Sequence, residues 1–164
     1  MLIVLLVMAS VVSTAVAVVV GGLLLPARHS VSHGVHLRAA PASVWSLVAN
    51  PVGYAAWQRR VQTVELLDRA PLRWREFGDE GSVALEVTQL DAPVRFVAVV
   101  LDEDVTRRPE RTFTLVEEDG GTRVTYTEAS VHRNPVARFI YRYWLKPDHA
   151  IIRVLQDLQR TLGE

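Results

Sequence analysis

There is no cysteine in this chain of 164 residues. Disulfides, thiolate zinc sites and thiol nucleophiles are excluded together, and the redox compartment is left open. Charge of one sign is not in excess either: Lys plus Arg and Asp plus Glu number 18 each. A nucleic-acid-binding module carries a basic surplus, so nucleic acid is not an expected partner. Motifs that announce chemistry are also missing. The chain has no Gly-x-Ser-x-Gly elbow, no phosphate-cradling glycine loop and no His-Glu-x-x-His. His33 and His36 stand three apart in an expected strand, so they point to opposite faces and cannot close on one ion. His132 and His149 are separated by most of a helix. Neither a metal nor a cofactor is expected.

One further absence is local. No charged side chain occurs before Arg28, and residues 2–25 are apolar except for Ser10, Ser13, Thr14 and the pair Gly21-Gly22. About twenty apolar residues in a helix cross the hydrocarbon of a bilayer. A cleaved secretory signal wants a basic start, an apolar stretch of roughly 7–15 residues and a small-residue cleavage site. Nothing basic precedes this run, the run is longer, and cutting at Ala15-Val16-Ala17 would leave Val18-Val19-Val20 on the product. Residues 1–26 are therefore expected to be an uncleaved single-pass membrane anchor, 27–30 a short linker, and 31–164 one domain with a single core. So short a connector holds the domain against the headgroups. Arg28 and Arg38 follow the span and no cation precedes it, which by the positive-inside tendency puts the domain in the cytosol.

Beyond the anchor, residues 31–38 read as a strand, and Ala39-Ala40-Pro41 turns the chain with Pro41 suited to a first helical turn. Val44, Leu47 and Val48 recur at helical spacing, Asn50-Pro51 stops that helix, and a second short one carries Tyr54 and Trp57. Strands are expected over 61–67, 72–77, 82–90, 94–101, 111–118 and 123–131. The last two are joined by Asp119-Gly120-Gly121-Thr122, a hairpin signal because glycine accepts positive φ. Asn134-Pro135 opens a terminal helix with a cap and a first-turn proline. Its apolar residues, from Val136, Ile140 and Tyr143 through Ile151, Val154, Leu155, Leu158 and Leu162, repeat near 3.6 and should lay one face on the sheet. Pro147 should kink or divide it near Leu145-Lys146.

That order gives an α+β helix-grip plan: a curved antiparallel sheet of about seven strands wrapped around a long C-terminal helix, with one N-terminal transmembrane helix. From about Ser30 onwards the chain resembles the START-like helix-grip superfamily (SRPBCC) in its polyketide cyclase/dehydrase branch. The likeness is carried by the segment from Ala40-Pro41-Ala42-Ser43-Val44-Trp45 to Asn50-Pro51, by Tyr54 and Trp57, and by Gly121-Thr122-Arg123-Val124-Thr125-Tyr126-Thr127-Glu128 leading into Asn134-Pro135. The resemblance implies a hydrophobic cavity between sheet and terminal helix. It does not fix an activity, because one scaffold hosts transport, binding and catalysis.

Two groups of residues are candidates for a site. Val124, Tyr126 and Glu128 share one face of the last strand. If that face is concave, a phenol and a carboxylate look into the cavity, and a buried carboxylate with a raised pKa can act as general acid or base. The alternative places Glu128 at the rim, paired with Arg75 or Arg95. The second group is aromatic: Tyr54, Trp57, Trp74, Phe96, Tyr126, Tyr141 and Trp144 can orient an apolar ligand or simply fill the core, whereas Phe113 and Trp45 read as packing. Separately, Arg138, Arg142 and Lys146 recur every four residues after Arg133, a basic stripe able to rest on anionic headgroups at about 1 kcal/mol per cation. The leading expectation is a membrane-anchored module that binds or transports a hydrophobic, lipid-like or polyketide-like small molecule. An aromatase, cyclase or dehydratase using Glu128 and Tyr126 is the enzymatic alternative, and a non-enzymatic membrane adaptor is the third.

Overall fold

Alternation of apolar and polar residues builds most of the structure, which is a computed structural model and describes residues 1–79, 81–101, 109–143 and 148–163. Seven strands form one antiparallel sheet: β1 (Arg28–Leu37), β2 (Thr63–Arg69), β3 (Leu72–Gly78), β4 (Gly81–Asp91), β5 (Arg95–Val100), β6 (Glu110–Glu118) and β7 (Gly121–Val131). Their spatial order is β1-β7-β6-β5-β4-β3-β2, so β1 closes onto the last strand and the other six form a meander. The β6–β7 turn has Asp119 at φ 50° and Gly120 at φ 74°, the mirror-image turn whose twist suits a hairpin. At Gly121 a Cβ would stand 2.0 Å from the Leu37 carbonyl oxygen, so only glycine lets β1 end against this hairpin. Leu67 is an extra residue in β2: Leu66 pairs with Trp74 and Asp68 with Arg73, which leaves a bulge on the sheet's outer strand.

Helix α2 (Pro41–Val48) starts on Pro41 and buries Val44 and Val48. A turn of 3-10 helix at Pro51–Gly53 leads into α3 (Tyr54–Trp57), which buries both of its aromatics. The grip is made by α5 (Asp148–Thr161). Its stripe of Ile151, Val154, Leu155 and Leu158 is buried, and the helix packs on β1, β7 and α3. Beneath it the core holds Trp74, Leu85, Phe96, Phe113, Val124 and Tyr126, every one less than 5% exposed.

Four details correct or extend the sequence reading. First, β1 begins at Arg28 and pairs there with Val131, so most of the stretch 27–30 is strand and the connector shrinks to Leu25-Pro26-Ala27. Second, the terminal helical pattern is distributed over two helices, α4 (Pro135–Tyr143) and α5, while Trp144, Leu145, Lys146 and the expected kink at Pro147 lie outside the described residues. Third, α4 does not lie on the sheet: it packs against α1 (Leu2–Leu24), leaving Ile140 and Tyr143 exposed. Fourth, that contact gives the glycine pair in α1 a role. Gly22 is buried, and a Cβ there would come within 1.9 Å of the Pro135 carbonyl oxygen, while one on Gly21 would meet the Phe139 ring at 3.1 Å. α1 itself is long and apolar enough to cross a membrane.

Candidate functional site

Trp74 and Glu76 alternate with exposed or half-buried neighbours along β3, so both face inward. Arg111 shares the face of the buried Phe113 on β6, and Glu128 that of the buried Tyr126 on β7, each two residues along its strand. Register then makes pairs: Arg111 stands opposite Glu128, and Phe113 opposite Tyr126 with the rings stacked at 4.3 Å. Strands β3 and β6 are three places apart, about 14 Å across a flat sheet. Arg111 nevertheless donates from Nη1 to Glu76 Oε2 at 2.9 Å, which only a bent sheet permits.

The result is a chain of polar contacts set into an aromatic core. Trp74 Nε1 donates to Glu76 Oε1 at 3.0 Å, Arg111 Nε lies 3.6 Å from Glu128 Oε1, and the Tyr126 hydroxyl donates to that same oxygen at 2.6 Å. Glu76 is 4% exposed, so this carboxylate is tolerable only because a tryptophan and an arginine satisfy it. Burial alone would lower the Arg111 pKa, but Tyr126, Glu76 and Glu128 outweigh it and hold the guanidinium charged. Burial pushes the Tyr126 phenol well above its usual range, with Glu128 acting in the same direction. It does the same to Tyr54, whose hydroxyl donates to the Val48 carbonyl at 2.5 Å.

These two phenols give a pH prediction. Both have folded-state values above the ordinary 10.0, so the native chain binds more protons than the unfolded one beyond that pH. Their contribution to stability is complete below pH 10 and falls as pH rises further. Phenolate absorbance should therefore show fewer tyrosines ionising in the native protein than in denaturant. Equal counts at the same pH would refute the burial argument.

A cavity of about 440 Å³ opens beside this network, between the β3–β4 end of the sheet and α5. Four arginines line it, Arg59, Arg60, Arg111 and Arg153, together with the carboxylates Glu76, Asp79 and Asp157. Asp157, 3% exposed on α5, takes the Arg59 backbone N–H at 2.9 Å, Arg59 Nε at 2.7 Å and Arg160 Nη1 at 3.1 Å, fixing the loop after α3 to the grip helix. Asp79 accepts from Gln62 at 2.5 Å. Arg60 comes only within 3.9 Å of Glu76, and Arg153 Nε donates to the His149 carbonyl of its own helix at 3.2 Å.

Of the residues singled out from sequence, Tyr54, Trp57, Trp74, Phe96 and Tyr126 come together, but in the packed core and not on the cavity wall. Tyr54 meets Trp57 edge-on at 5.5 Å, and Trp57 Nε1 is buried with no hydrogen-bond partner among the described residues. Glu128 is paired with Arg111 and not with Arg75 or Arg95; Arg75 lies 3.9 Å from Glu65. Only the backbone of Tyr141 is described, and Trp144 lies outside the described residues. Arg138 is engaged inward, donating to the carbonyls of Leu25, His132 and Arg133, while Arg142 is exposed and Lys146 is not described. Glu76, Arg111 and Asp157 were not singled out. Arg111 was recoverable: counting back from the two-residue turn at Asp119-Gly120 sets it opposite Glu128. No comparable signal points to Glu76.

The family model for "Polyketide cyclase / dehydrase and lipid transport" matches residues 28–163. The chain belongs to this family. Among curated proteins none matches it. Solved structures share the fold of this polyketide cyclase/dehydrase and lipid transport domain. The Zhui aromatase/cyclase from Streptomyces sp. R1128 superposes with a TM-score of 0.68 at 16% identity, over 83% of this chain and 94% of that one. The di-domain ARO/CYC StfQ of the steffimycin biosynthetic pathway gives 0.67 at 8% identity, over 83% of this chain and 51% of that one. Protein Ms6760 from Mycobacterium smegmatis gives 0.55 at 19% identity, over 82% and 90%. At such identities the likeness is one of fold. The family's own description is compatible with binding of a hydrophobic small molecule or with a cyclase role for the helix-grip domain.

Proposed function

We propose that the domain binds a small amphiphilic molecule with an anionic end, and does so held beside a membrane by α1. The observation carrying this reading is the 440 Å³ cavity against α5, whose wall sets Arg60 and Arg153 beside the apolar Val61, Val83 and Ala150. Its volume is that of an ordinary small-molecule site. Arg111 and Arg59 are engaged by Glu76 and Asp157, which leaves Arg60 and Arg153 as the cations best placed for a carboxylate or phosphate. A charge-assisted contact of that kind contributes about 1.5–3 kcal/mol.

The membrane part rests on α1. Its 23 residues span about 35 Å, against roughly 30 Å of hydrocarbon. The glycine face docked on α4 supports a retained anchor over a cleaved signal. Arg28, Arg133 and Arg142 sit around its C-terminal end, which supports a cytosolic domain.

Binding of a fluorescent fatty acid tests the ligand class. Arg60→Ala combined with Arg153→Ala should raise Kd about ten-fold or more, equivalent to 1.4 kcal/mol. The matching fatty alcohol should bind the unaltered protein as weakly as the acid binds the variant. Equal affinity for acid and alcohol would remove the anionic end from the proposal.

A second reading, an aromatase, cyclase or dehydratase, is favoured by one contact: Arg111 reaches from the cavity wall to Glu128, which holds the Tyr126 hydroxyl. Tyr126 itself is 2% exposed, and an arginine that stays charged moves no protons, so the geometry suits orientation of a ligand better than acid–base work. Turnover abolished by Glu128→Gln with ligand affinity retained would establish the enzymatic reading.

A further inference from the structure

The anchor and the cavity lie at the same end of the sheet. β1 leaves α1 at Arg28, which pairs with Val131 at the finish of β7. Following the ladders outward, Glu110 pairs with Ala129, Val99 with Glu110, and Glu86 with both Val99 and Arg73. Beyond that row the β3–β4 hairpin runs on in the anchor's direction to its turn, where Gly78 pairs with Gly81. Asp79 and Ser82, both exposed, are on the cavity rim there, and Arg153 stands opposite them on the first half of α5. The hairpin turn at Asp119-Gly120 and the β4–β5 turn are at the other end.

How the anchor leaves the domain is also fixed. Val18, Gly21 and Gly22 in the last part of α1, with Leu25 just after it, are half-buried or buried, spaced by three and four, and this side of α1 faces α4. The Arg138 guanidinium binds the Leu25 carbonyl at 3.3 Å and the His132 carbonyl at 2.7 Å, and the His132 amide donates to Ala27 at 2.8 Å. Only Leu25-Pro26-Ala27 separate helix from strand, so the bracket has little freedom to swing. Because α1 is about 5 Å longer than the hydrocarbon is thick, its last turn reaches the headgroup level and the α4 packed beside it lies at the edge of the hydrocarbon. On α4, Ile140 and Tyr143 are 37% and 62% exposed, and the exposed Arg142 lies 5.8 Å from the Tyr143 ring centre. Apolar and aromatic groups beside a cation, continuous with a spanning helix, match the interfacial layer of a bilayer.

We infer that α4 is a membrane-surface helix, and that the α1–α4 bracket holds the cavity mouth facing the bilayer so that an anionic amphiphile passes directly between lipid and cavity. The inference rests on the spanning role of α1 and names the source of the ligand. The absence of native cysteine makes a direct test clean. Single cysteines at Ile140, Ser82 and Glu117 of the full chain, each carrying a fluorophore, are reconstituted in phosphatidylcholine–phosphatidylglycerol vesicles containing nitroxide-labelled lipid. Quenching should be strong at Ile140, intermediate at Ser82 and several-fold weaker at Glu117, near the far hairpin. Gly22→Leu, which cannot dock on Pro135, should bring Ser82 down to the Glu117 level, and Arg138→Gln should move it the same way. Both variants should retain fatty-acid binding in detergent.

Equal quenching at Ser82 and Glu117 in the unaltered chain, or none at Ile140, would overturn the inference. Release of the chain from vesicles by alkaline carbonate would instead sink the spanning role, and the inference with it. An intact quenching pattern without any fatty-acid binding would sustain the orientation and discard the ligand as its purpose.

Discussion

Arg111→Met should be among the most damaging single substitutions outside the purely apolar core, with a loss of about 3–5 kcal/mol in unfolding free energy. Removing one partner of a buried ion pair leaves the other charge stranded, and that penalty is the reason for the figure. Glu76 is the stranded group: it is 4% exposed, and without Arg111 it keeps only Trp74 at 3.0 Å and the remote Arg60 at 3.9 Å. Glu128 loses a neighbour too, but at 27% side-chain exposure it can turn to water. The diagnostic experiment is a cycle. Glu76→Leu together with Arg111→Met should be more stable than Arg111→Met alone, since no uncompensated charge then remains inside. Urea unfolding in detergent reads both values, and a double variant no better than the single one would show that Glu76 was never the cause.

Leu158→Ala should cost about 2–5 kcal/mol, the range for truncating a fully buried leucine. Leu158 is 0% exposed on the face of α5 that lies on the sheet, next in sequence to the Asp157 that fixes the loop after α3. The void would therefore loosen both the grip and one wall of the cavity, so ligand affinity should fall along with stability. Ile152→Ala is the matched control on the same helix, because Ile152 is 36% exposed, and it should change little. Comparable losses at 152 and 158 would mean that α5 is seated differently on the sheet.

The sheet was legible because strand alternation and turn chemistry are local. Each of the seven expected strands lies within a few residues of its actual bounds, and the hairpin at Asp119-Gly120 sets its own register. What escaped was long-range. The approach of Glu76 to Arg111 depends on how far the sheet bends between β3 and β6, and bending is a property of the whole layer. Periodicity has the opposite weakness. The pattern from Val136 to Leu162 shows that a face is covered without saying by what. The α5 half covers the sheet as expected, whereas α4 turns to the glycine face of α1. Aromatic residues misled in a third way: Tyr54, Trp57 and Trp74 fit a ligand cavity and a packed core equally well by composition, and here they form the core. The cavity went instead to charged residues whose partners lie far along the chain.

The bulge at Leu67 bears on how these molecules coexist. With α1 spanning a bilayer, as proposed, every copy would be confined to a plane with the same end up, and side-by-side encounters would be far more frequent than in free solution. In such a crowd, the rim of β2, one of the sheet's two outer strands, is a place where one sheet would extend into the next. An inserted residue breaks the regular spacing of amides along that rim and twists it away, so neighbouring copies find no straight template to zip onto.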